Sequence, residues 1–162
     1  MDLPKKVLYI HEFVKPLENK LNKIIAFTDT HEEDSVELLS YVPHCLSGSD
    51  ECKVVDELLD IKNLEIIPKN STNGFFAIDI NILNDIDNVV VVGDCTDICI
   101  YQFVVTLKAY FNEKHINKNI VVPMNLVDTY DIPFVHPGDL LNVVFFNSMI
   151  QNGVKLIKKF SL

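Results

Sequence analysis

The sequence predicts an α/β fold, a three-layer, doubly wound and mostly parallel sheet. Three observations carry that expectation. Short apolar runs rich in β-branched residues alternate with longer segments of helical period, the pattern of strands joined by crossover helices. The runs lack in–out alternation, as expected of strands buried on both faces. And 162 residues, 48% of them hydrophobic and 23% charged, suit one domain over 1–162 with a sizeable core.

The first segment, residues 5–22, carries Val7, Ile10, Val14, Leu17 and Leu21 at three- and four-residue steps, so it reads as helix despite Pro16. The rival reading, "VLYI" as a strand followed by a short helix at 16–22, leaves a very short crossover. Strands are predicted at "KIIAF" (23–27), "LEIIP" (64–68), "NVVVVG" (88–93), "NIVVP" (119–123) and "VKLIK" (154–158). Between them, "DECKVVDELLD" (50–60) gathers Val54, Val55, Leu58 and Leu59 on one side, with Ser47 or Ser49 as N-cap. "CIYQFVVTLKAYF" (99–111) is apolar nearly all round, which predicts a helix buried in the core or against another subunit, so a homo-oligomer is an open expectation. "PGDLLNVVFFNSMIQNG" (137–153) opens on proline and closes on Gly153, good start and stop signals.

Composition excludes several classes of function. A net charge of −9, from 23 acidic and 14 basic side chains, argues against a nucleic-acid partner. No apolar run is long enough to span a bilayer, and "MDLPKK" has no signal-peptide core, so a cytoplasmic home is expected, with no membrane partner. Cys45, Cys52, Cys95 and Cys99 show no CxxC pairing and are expected to be free thiols, the first two as small buried residues.

Ligands of open parallel sheets bind at the carboxyl ends of the strands. "VVVVG" ends at Gly93, so Cys95 to Cys99 fall on that edge. If a helix begins near Asp97 or Ile98, Cys99 lies in its first turn, where unpaired N–H groups and the helix dipole favour a thiolate. Taken alone, Cys99 also reads as an ordinary buried thiol. In "TDTHEEDS", Asp29 and His31 are two apart and share one face of an extended segment; with His44 of "YVPHCLSG" they are donors suited to Zn²⁺, Fe²⁺ or Mn²⁺. Asp29 as a loop cap and His44 as a turn histidine is the alternative. Lys69 follows another strand end, as a solvated charge or, beside a thiol, as a proton carrier. His115 reads as solvated, and His136, before Pro137, as a capping residue.

The segments "DTH" (29–31), "PHCLSGSDE" (43–51), "KNSTNGFF" (69–76) and "VGDCTDICI" (92–100) resemble the isochorismatase-like cysteine hydrolases, in particular their nicotinamidase-like branch. The resemblance runs from about residue 7 to the C-terminus. It implies a Rossmann-like sheet with Cys99 as nucleophile, Lys69 as the triad lysine and the N–H groups of Cys95 and Cys99 as oxyanion hole. It also implies Asp29, His31 and His44 as metal ligands, the metal anchoring a ring nitrogen, and no organic cofactor. Tyr41 and Phe75 fall at substrate-binding positions, and a non-proline cis peptide is implied between Asp94 and Cys95.

Two departures stand out. The family opens with a strand whose end supplies a catalytic aspartate, and no such motif is found here. The fold expected is therefore the isochorismatase-like one lacking its usual first strand, either as a shortened chain or with Glu12 of "VLYIHEF" near the aspartate's place. Low solubility, rearrangement or gap-filling dimerisation is the expected consequence. Ser35 also stands where many members carry a further histidine. The reaction implied is hydrolysis of a small carboxamide through a thioester. A vinyl-ether or carbamoyl hydrolase, and a binding or scaffold protein impaired by the missing aspartate, are the alternatives.

Overall fold

Helix formation at the N-terminal end follows the apolar period and stops where proline intervenes. The computed structural model describes residues 3–158. Helix α1 spans Leu3–Val14, and a single 3₁₀ turn, Lys15–Leu17, takes in Pro16. The helical reading was thus right in kind but too long: without an N–H, Pro16 cannot extend the α-helical bonding pattern, and no helix runs on to residue 22.

The chain divides into two compact units, His11–Asp79 and the remainder. In the first, strand β1 (Ile24–Asp29) pairs in parallel with β2 (Leu64–Lys69), in a register that sets Asp29 opposite Lys69. Its buried apolar side chains are few, Val14 and Ile61, and Glu18, His31, Lys69 and Asn73 are buried beside them. Of β2, Glu65, Ile66 and Pro68 are exposed, so the expectation of strands buried on both faces fails here. Residues 50–60 form no α-helix. They make two separate 3₁₀ turns, Asp50–Cys52 and Asp56–Leu58, with Lys53 extended between them, and Ser49 makes no side-chain capping bond. Val55 and Leu59 stay exposed, and a short helix whose apolar face meets no core has little to hold it.

The second unit holds most of the core. Strands β3 (Asn88–Val90), β5 (Asn119–Pro123) and β7 (Lys155–Ile157) form a parallel sheet in the order β3-β5-β7. The predicted strand 88–93 is broken. Gly93 and Asp94 form a separate short strand, β4, parallel to β6 (Val127–Asp128). Helix α2 (Tyr101–Glu113) buries Phe103, Val104, Leu107 and Phe111, and α3 (Gly138–Gln151) buries Met149. Ile120 and Val122 of β5, Val154, Leu83, Ile100, Leu126 and Val127 are also buried in this unit. Ile100, Phe103, Val104, Leu107 and Phe111 of the 99–111 segment are thus buried within the chain itself. Gly153, at φ +84°, ends α3 in the left-handed conformation that glycine adopts freely.

Among the described residues the strands form three separate hydrogen-bonded groups, and the first strand is preceded by helix. No described helix is long and apolar enough to cross a membrane.

Candidate active site

The turn after β3 is shaped by its backbone. Val91 N–H still bonds the Val121 carbonyl, Gly93 adopts φ +122°, and the Asp94–Cys95 peptide is cis, where the family resemblance placed it. Cys95 is extended, and its carbonyl accepts from the N–H groups of Ile98 and Ile100 at 3.2 and 3.1 Å. These bonds open a turn of π-helix, Thr96–Ile100, that runs directly into α2. Cys99 lies in that turn, half-buried and in no disulfide. The N-terminal end of a 13-residue helix favours negative charge nearby, so the location suits a thiolate. Cys95 is different. Burial, with the Asp94 charge adding to it, pushes its thiol up to about 12 despite a hydrogen bond with Thr129.

In the other unit, the β1–β2 register brings Asp29 and Lys69 side by side at the carboxyl ends of their strands. The buried Lys69 ammonium bonds Asp29 Oδ1 and donates to the Ser71 carbonyl at 3.1 Å. An interior ammonium requires such partners. His31 is fully buried, and its N–H donates to the Cys45 carbonyl while its own carbonyl accepts from Ser47 N–H. Its Nδ1 bonds Asn70 Oδ1 at 3.1 Å. That oxygen only accepts, so Nδ1 carries the proton and Nε2 presents a lone pair. Nε2 is buried without a hydrogen-bond partner, 3.9 Å from Asp29 Oδ1.

The His44 ring stands edge-on to His31 with centroids 4.8 Å apart, its Nδ1 donating to the Val42 carbonyl at 2.8 Å. An orphaned imidazole nitrogen between a carboxylate and a second imidazole is chemically suited to a borderline divalent ion. Among the described residues, however, no three His, Cys, Asp or Glu side chains stand ready as a metal-holding group. Asp29 is shared with Lys69.

Tyr41 is exposed, with its ring 6.2 Å from His44, and Phe75 is half-buried against Phe76. Gly74 lets the loop before Phe75 press on the Phe27 ring, which a Cβ there would meet at 3.2 Å. Cys45 and Cys52 are half-buried rather than buried. The Cys52 thiol donates to the carbonyls of Cys45 and Leu46, and burial pushes the Cys45 thiol up.

One cluster is not visible from the sequence. His136 does not cap α3; Asp131 does, accepting from Gly138 N–H at 2.8 Å. The His136 ring instead lies 2.8 Å from Asp97 Oδ2 and 2.8 Å from the Tyr130 carbonyl, while Thr129 Oγ1 bonds Asp97 Oδ1. Asp97 sits inside the "VGDCTDIC" segment, but nothing in residues 129–136 announces a partner for it.

No family model matches the chain. Nicotinamidase 1 of Arabidopsis thaliana is 28% identical over 163 residues, covering 85% of this chain and 66% of that protein, so the chain spans about two thirds of its relative's length. Among solved structures, N-carbamoylsarcosine amidase from Thermoplasma acidophilum superposes with a TM-score of 0.77 at 19% identity, over 99% of this chain and 86% of that one. An isochorismatase-like hydrolase from Alkaliphilus metalliredigens superposes at 0.75 and 12% identity, over 95% and 80%. The fold of the chain is therefore the isochorismatase-like one. Within that class its sequence resembles the nicotinamidases.

Proposed function

We propose that the chain is an amidohydrolase that releases ammonia from a small, nicotinamide-like carboxamide through a thioester on Cys99. The observation that carries this reading is the placement of Cys99 in the turn between the end of a parallel strand and the start of α2. The 28% identity with a nicotinamidase supports the class of substrate.

In this reading the Cys99 thiolate attacks the carbonyl carbon, and the oxyanion is held by the N–H groups of Cys95 and Cys99. The C–N bond then breaks, nitrogen leaves with a proton as ammonia, and water cleaves the thioester. Lys69 is the proton-handling group and Asp29 holds its ammonium; Tyr41 and Phe75 contact the substrate. Asp29, His31 and His44 would hold Zn²⁺, Fe²⁺ or Mn²⁺, supported by the orphaned His31 Nε2. Such an ion supplies Lewis-acid anchoring of the substrate. The same reading keeps 1–162 as one hydrolase domain in the reducing cytoplasm, in accord with four cysteines outside any disulfide.

Ammonia release from nicotinamide by the chain and by Cys99→Ala tests the assignment. The variant is expected to lose activity by orders of magnitude, since a nucleophile acts as part of a cooperating set. Equal release removes Cys99 from the mechanism. Metal content is expected to fall in His31→Ala, and unchanged content removes the ligand assignment. A second reading, a binding protein without turnover, is favoured by the commitment of Lys69 to Asp29 and the Ser71 carbonyl. It predicts ligand binding with no ammonia release.

A further inference from the structure

We propose that His136 is a positioning residue for the Cys99 turn: an imidazolium clamped between Asp97 and the Tyr130 carbonyl that neutralises Asp97 and fixes the turn carrying Cys99. The inference rests on the reading of Cys99 as nucleophile and adds a residue to it. Both ring nitrogens of His136 stand 2.8 Å from acceptors, Nε2 from Asp97 Oδ2 and Nδ1 from the Tyr130 carbonyl oxygen. A backbone carbonyl and an ionised carboxylate have no proton to donate, so both nitrogens must carry one.

The side chains are 14% and 7% exposed, so the charge pair is largely withdrawn from solvent. The Tyr130 ring stacks on the imidazole at 3.7 Å between centroids and 18° between planes, a favourable seat for a cation. The other charged groups close by are accounted for. Asp131 accepts from Gly138 N–H; Asp128 accepts from Thr129 N–H and from Asn142, with Lys6 3.9 Å away; and Asp94 acts on Cys95.

Asp97 and Cys99 share one π-helical turn, Thr96–Ile100. An uncompensated carboxylate two residues away opposes ionisation of the thiol. The imidazolium removes that opposition, and together with Thr129 it occupies both Asp97 oxygens, tying the turn to residues 129–136.

The experiment follows alkylation of Cys99 by iodoacetamide against pH, read by peptide mass spectrometry on the full chain, which needs no substrate. His136→Gln keeps a hydrogen-bonding side chain without the charge. It is expected to lower the melting temperature, because a largely buried carboxylate loses its partner, to shift the half-maximal pH of Cys99 alkylation upward by about one unit, and to slow the reaction at pH 7 about tenfold in the folded protein. Adding Asp97→Asn to His136→Gln removes the uncompensated charge and is expected to restore the original profile. A His136→Gln profile that superimposes on the parent's overturns the proposal. So does a slowing that Asp97→Asn leaves uncorrected, since that marks a purely structural role. If the shift and its rescue occur while no form releases ammonia, the amidohydrolase reading fails and this one stands. A Cys99 unreactive at every pH overturns both.

Discussion

Cys95 and Cys99 lie four positions apart, at and within the π-helical turn that leads into α2. Burial holds Cys95 neutral, at about 12, against an ordinary thiol value of 9.0. Between those values the unfolded chain has lost the Cys95 proton while the folded chain keeps it. The folded state then binds more protons, and stability falls as pH rises from 9 toward 12. Urea unfolding across that range is expected to show the decline in the parent and a smaller one in Cys95→Ala. At neutral pH the Cys95 sulfur therefore stays a thiol, a poor nucleophile. The motif made Cys99 conspicuous in the sequence. The partner of Asp97 was not, because His136 lies 39 positions away and only the fold of residues 129–136 brings its ring to the turn.

Elements formed where an apolar face had something to cover. Leu107 on α2 is fully buried, and Leu107→Ala is expected to cost about 2–5 kcal/mol in urea unfolding, the range for emptying a packed leucine site. Residues 50–60 have an equally good helical period, yet Val55 and Leu59 find no cover and the segment collapses into 3₁₀ turns. Periodicity proposes a helix; burial decides it. The segment after Pro16 is held by polar contacts. The Glu18 carboxylate accepts from Lys62 N–H at 2.9 Å and pairs with Lys15 at 3.2 Å. The Lys62 N–H, reinforced by Lys15, holds that carboxyl below its ordinary range. Its contribution is present above the unfolded value and is lost as pH falls through the folded one. Glu18→Gln is therefore expected to flatten the acid side of the stability profile.

Over the whole molecule, protection should follow the distribution of buried hydrocarbon. Amide exchange is expected to be slowest in α2 and β5, whose side chains form the densest core, and fast in β2 and the 3₁₀ turns of 50–58. Protection of β2 equal to that of β5 would count against this account. The alternation of apolar runs and helical periods determined, from the sequence alone, the α/β class, the five principal strands to within a few residues, and the helices at both ends of the chain. It also determined which side chains deserved scrutiny. Tertiary structure alone decided which strands are buried, that residues 50–60 stay non-helical, that Lys69 pairs with Asp29, and that His136 clamps Asp97. The division has one cause. Local pattern is set by neighbours along the chain, whereas burial and charge pairing depend on groups tens of residues away, which only the folded backbone brings within bonding distance.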